Sequence, residues 1–162
     1  MKATTTRPDL NLEEKNRWFV IANQTSVTFY SEPGDQKFHF VDRFTNEAGR
    51  EHEGDLDSDR SGRSDSSTSP GSHSLDRRHH KHEEIARRWA ARISSRLNEA
   101  SLKNEFEEVV LVAAPHFLGV LREELPATLL KKVIAQIPKE YNQGSDTEIR
   151  EHVFEALAKI SQ

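Results

Sequence analysis

Glu108-Val109-Val110-Leu111-Val112-Ala113-Ala114-Pro115 is the stretch on which the fold turns. Its apolar residues follow one another without interruption, so it reads as a strand covered on both faces, central in a sheet and parallel to a neighbour. Pro115 ends it. Downstream, His116 to Leu125 predicts a short helix with Phe117, Leu118, Val120, Leu121 and Leu125 turned inward. Pro126 to Pro138 fits two patterns. Leu129, Leu130, Val133, Ile134 and Ile137 recur with helical period, whereas Val133, Ala135 and Ile137 alternate as an edge strand. The reading taken is a helical turn through Leu130 and a strand from Lys132 to Ile137. Ser145 and Glu148 then offer a capping box for a last helix with Ile149, Val153, Leu157 and Ile160 on one face.

Upstream, Trp18 to Ala22 is a short apolar run of aromatic and β-branched residues, and Val27 to Tyr30 repeats that chemistry after the turn Asn23-Gln24-Thr25-Ser26. Glu32-Pro33-Gly34-Asp35 marks a second turn. Phe38, Phe40 and Phe44 are spaced as one buried face of a third strand from Lys37 to Phe44. Short connections make these three strands an antiparallel meander. With right-handed crossovers joining the later strands, the order βββαβαβα predicts an α/β fold: a ribonuclease H-like mixed five-stranded sheet with helices on both faces. Nucleases of that layout need converging carboxylates to hold two metal ions. Here the first strand carries no Asp or Glu and the fourth ends in Ala113-Ala114-Pro115, which argues against metal-dependent nuclease chemistry.

Between the third strand and the next helix lies Thr45 to Arg78, a polar tract with Leu56 and Leu75 as its only large aliphatic residues. It cannot bury enough apolar surface to offset its ordering entropy, so a long disordered loop is expected there. Met1 to Asn16 is read the same way, as a disordered arm before a single domain of residues 17–162. From about His79 to Ala100 a helix is expected, with Ile85, Trp89, Ile93 and Leu97 as its buried stripe and Ala86 and Ala90 beside them. Thr45 to Asp76 holds eight acidic and three basic residues, whereas Arg77 to Arg96 holds seven basic and two acidic, so a basic helix follows an acidic tract. Starting near His79, that helix would carry positive charge where its dipole disfavours it, which implies an anionic partner. Arg77, Arg78, Lys81, Arg88 and Arg92 are the candidate phosphate contacts. The plainer alternative is that such side chains cover the sheet margin with their heads in water.

Charged residues are 31% of the chain and hydrophobic ones 34%, because the polar tracts dilute an ordinary core. Cysteine is absent, which removes disulfides, thiolate metal sites and a cysteine nucleophile and fits a reducing cytoplasm. Met1 to Arg17 has no apolar segment of a secretory signal, and no stretch approaches the roughly 20 apolar residues of a membrane span. Cytoplasmic residence without membrane contact is therefore expected. Glycine-rich phosphate loops are absent and no cofactor is implied. His79 with Glu83 and His80 with Glu84 are helical i, i+4 pairs, yet no further ligand stands at zinc spacing, so no metal is expected.

Asp59-Arg60-Ser61-Gly62-Arg63-Ser64, the basic helix start, and Val109 to Pro115 followed by Leu118-Gly119 and Leu121-Arg122 together resemble the bacterial host attachment protein family. The resemblance runs from Arg17 to Ile160. That family is similar to the middle domain of the archaeal and eukaryotic class I release factor, in which the corresponding loop carries a Gly-Gly-Gln tip that helps water attack the peptidyl-tRNA ester. The loop here has neither a glutamine nor a Gly-Gly pair. Gly62-Arg63 and Gly71-Ser72-His73 come nearest. If hydrolysis survives, Arg63 would steady a developing oxyanion and His73 would serve as base, with Asp59, Arg60, Gly62 and Gly71 shaping the loop. The resemblance thus implies a ribosome- or tRNA-associated RNA-binding factor, whereas the family label points to a non-enzymatic protein-interaction module with a role in attachment to host cells.

Overall fold

The strand residues explain the sheet. In the computed structural model, which describes residues 15–51, 71–141 and 143–161 (backbone only at 71–75 and 161), β1 is Arg17–Ala22, β2 Ser26–Glu32, β3 His39–Thr45, β4 Glu108–Val112 and β5 Val133–Ile137. They lie in the order β3-β2-β1-β4-β5. The pairs β1/β2 and β2/β3 are antiparallel, while β1/β4 and β4/β5 are parallel. The helices are α1 (Gly71–Leu102), α2 (Pro115–Glu124), the single turn α3 (Ala127–Leu130) and α4 (Asp146–Ser161). This is the mixed five-stranded α/β layout expected from the sequence, with β4 parallel to both of its neighbours.

Period-2 alternation sends each inner strand's apolar side chains to two cores. Trp18 and Val20 of β1, with Val109 and Leu111 of β4, pack against Trp89, Ile93 and Leu97 of α1 and Phe117 and Leu121 of α2. Phe19, Ile21, Val110 and Val112 face Val153 and Ala156 of α4. Helices therefore cover both faces. Ile160, expected on the buried face of α4, is 51% exposed at the helix end.

The edge strand β3 departs from the expected single buried face. Pairing with β2 shifts register between Phe29 and Tyr30, so that Phe29 faces Asp42 and Tyr30 faces Phe40. The extra residue reverses the alternation. Phe44 consequently packs on the α1 side and Phe38 on the α4 side, while Phe40 is 62% exposed.

The tract after β3 is shorter than expected. Residues 47–51 form a helical turn, and α1 begins at Gly71, about eight residues ahead of the predicted start. Loop limits of Thr45 and Arg78 are thereby corrected. Gly71 and His73 belong to the first turn of a helix, and residues 52–70 fall outside the described residues. Asn16 is tied down next to β1: its backbone N–H donates to Glu107 Oε1 (2.6 Å) and its amide to the Glu105 carbonyl (2.8 Å).

Candidate functional site

The upper end of α1 is set by one corner of the sheet. Asn23 turns the chain from β1 to β2 by accepting three hydrogen bonds on Oδ1, from the Thr25 and Ser26 N–H groups and the Thr25 hydroxyl. Its carbonyl accepts the Trp89 Nε1–H at 2.7 Å, which fixes α1 against that turn. Asn46 then closes the corner: its N–H donates to the Thr25 carbonyl (2.8 Å) and its amide to the Gln24 carbonyl (2.9 Å). His82, Ile85 and Phe117 line a small cavity beside it.

Beyond this corner α1 loses its packing. Every side chain from Asp76 to Lys81 is exposed, His82 is half-buried, and Ala86 is the first buried residue. At 1.5 Å per residue, Asp76 to Lys81 spans about 9 Å. Nearly two turns of helix thus expose their side chains and carry Arg77, Arg78, His79, His80 and Lys81. Because α1 starts at Gly71, Arg77 and Arg78 lie beyond its first turn, where the dipole no longer penalises positive charge. Helix polarity therefore gives no sign of an anionic partner, contrary to the expectation from a start near His79.

The structure divides the expected phosphate-binding residues. Arg77 and Lys81 line a shallow depression on the outer face with His80, Glu84 and Arg87. Among the described residues no ion pair engages Arg77, Lys81 or Arg87. Arg88 is paired with Glu84 at 2.6 Å. Arg92 lies over the rings of Phe44 (4.9 Å) and Trp89 (5.2 Å) and reaches the Thr45 carbonyl, so it covers the sheet margin. Arg96 does likewise, bonded to Asp42 at 2.9 Å over Trp18 and Phe29.

The carboxylates near the histidines are committed elsewhere. Glu83 pairs with His116 at 2.9 Å and Glu84 with Arg88, so neither i, i+4 pair is arranged around a shared ion. Arg87 and His80 were absent from the expected set. Their signal was present in the sequence: Arg77, His80, Lys81, Glu84 and Arg87 follow helical spacing on the side opposite the stripe. Of the loop residues, Asp59, Arg60, Gly62 and Arg63 lie outside the described residues, and His73 is placed by its helical backbone alone.

Residues 18–153 match a family model described as a protein required for attachment to host cells. The chain belongs to that host attachment family. No curated protein matches it. The host attachment match begins in β1 and ends inside α4, so it contains nearly the whole sheet, the described part of the tract after β3, and the basic helix. Among the described residues, no helix of this host attachment protein is long and apolar enough to cross a membrane.

Proposed function

We propose that this member of the host attachment family is a cytoplasmic, ribosome- or tRNA-associated RNA-binding factor whose α1 arm contacts phosphates through Arg77, Arg78, Lys81 and Arg87. The observation that carries this reading is the run of exposed side chains from Asp76 to Lys81 on a helix that packs against the sheet from His82 onward. Exposed cations on a helix anchored by Ala86 and Trp89 can approach a backbone of phosphates without rearranging the fold. Sequence resemblance to the release factor middle domain supports the ribosome as the place of binding. The proposal is of binding alone, because the Gly-Gly-Gln tip has no counterpart in this sequence. The second reading, a protein-interaction module for attachment to host cells, is favoured by the family description.

Co-sedimentation with ribosomes at low salt tests it. Wild type should pellet with ribosomes, and the triple variant Arg77→Glu, Arg78→Glu, Lys81→Glu should stay in the supernatant with its melting temperature nearly unchanged. A wild type that never pellets would sink the RNA reading and leave the interaction module.

A further inference from the structure

The α4 face of the sheet carries a cleft that the basic arm does not use. It lies between the end of β1, strands β2 and β3, and the start of α4, and encloses about 240 Å3. That is just under the roughly 300 Å3 at which pockets for drug-sized ligands begin, which suits a smaller molecule. Its character is polar: Thr28, Tyr30, Arg43, Gln143 and Asp146 supply hydroxyl, guanidinium, amide and carboxylate groups, with Ile21 and Ile149 among the few aliphatic contacts.

Two opposite charges are fixed in it. Arg43 Nη1 donates to Oγ1 of the buried Thr28 at 2.9 Å, which holds the guanidinium and leaves most of its five N–H groups available. Tyr30 donates its hydroxyl to Asp146 Oδ1 at 2.6 Å, which holds the carboxylate and leaves Oδ2 to accept. Burial, and then the Asp146 carboxylate, push the Tyr30 hydroxyl above its usual range while Arg43 pulls it down, so a single hydroxyl feels both charges. It remains a donor at neutral pH.

A fixed cation and a fixed anion facing one polar space call for a ligand bearing the reverse pair. Phosphate fits poorly, because one guanidinium would face its charge while Asp146 and Glu148 already place carboxylates at the start of α4, where the dipole would otherwise draw an anion. An apolar metabolite would leave the polar groups without partners. We propose that this cleft binds a small zwitterion of the α-amino-acid type, its carboxylate on Arg43 and its ammonium on Asp146. Thr28 and Tyr30 act as positioning residues for the two charges.

Isothermal titration of the full chain with each standard amino acid, and with AMP as a phosphate-bearing control, tests the assignment. At least one amino acid should bind in the millimolar range or tighter, and AMP should not. Arg43→Met should weaken that binding about tenfold or more, as should the C-terminal amide and the N-acetyl derivative of the bound amino acid. Asp146→Asn should do the same. It also alters the link between α4 and the sheet, so the exposed Arg43 and the two derivatives carry the decision if that variant does not fold. Binding by no amino acid, binding by AMP alone, or affinity indifferent to Arg43→Met would each overturn the proposal.

Discussion

A methyl group at position 49 would have nowhere to go. A Cβ on Gly49 would lie 2.3 Å from the Gln24 carbonyl oxygen and 2.6 Å from Asn46 Nδ2, two atoms that are themselves hydrogen-bonded. Neither can yield without opening the corner that holds the turn after β3. Gly49→Ala should therefore destabilise the fold by about 1–3 kcal/mol, as overpacking does, read as a lower urea midpoint with an unchanged slope. Tyr30 gives a second expectation at this scale. Its hydroxyl titrates above the ordinary value of 10.0 because burial and Asp146 disfavour the phenolate. The folded protein keeps that proton where the unfolded chain begins to lose it, so the stabilisation is complete below about pH 10 and is lost as pH rises further. Melting temperature measured by calorimetry should fall more steeply above about pH 10 in wild type than in Tyr30→Phe; parallel profiles would refute the linkage. Neither residue announced itself in the sequence. Gly49 reads there as one more glycine of a polar tract, because the Gln24 carbonyl it must avoid belongs to a turn formed much earlier in the chain.

At the scale of the element, legibility followed burial. The strands β1 and β4 and the stripe Ile85, Trp89, Ile93 and Leu97 could be read because buried faces impose a period. The early turns of α1 bury nothing between Asp76 and Lys81 and so impose none, which is why the helix was expected to begin near His79. On β3 the alternation misled for the opposite reason: one extra residue at an edge strand reassigns Phe38 and Phe44 to different cores, and no spacing of phenylalanines reveals a bulge. The cleft was illegible because its residues come from β1, β2, β3 and the start of α4, distant in sequence and individually ordinary. The arginines of α1 divide along the same line. Arg96 joins Asp42 across the sheet margin and covers two aromatic rings, with its side chain only 24% exposed. Arg96→Ala should lower stability by about 1–2 kcal/mol through lost packing and charge contact. Arg77→Ala, on the uncovered arm, should change it by less than about 0.5 kcal/mol. Denaturation curves that ranked the two the other way would mean that the arm is packed in solution.

For the whole molecule the proposed binding of RNA has to be reconciled with a net charge of −4. Its 27 acidic residues outnumber 23 basic ones, so the long-range field does not draw RNA in, and attraction must come from the local concentration of cations on α1. Of these, Arg88, Arg92 and Arg96 are engaged by Glu84, the aromatic margin and Asp42. On the proposed reading, Arg77, Lys81 and Arg87 make up the contacting set together with Arg78, which also has a contact within the fold. Each phosphate neutralised releases condensed counterions, which gives log K a slope against log salt of about −0.7 to −0.9 per contact. Wild type should accordingly bind structured RNA with a slope of about −3, measured by fluorescence anisotropy across a salt series, and Arg77→Glu alone should reduce that slope by about one unit as well as weakening binding. Arg92→Ala should leave the slope where it is, since its guanidinium faces Phe44 and Trp89. A slope near zero with affinity retained would mean that contact is made through surfaces other than the arm, and the phosphate-binding role of α1 would have to be abandoned.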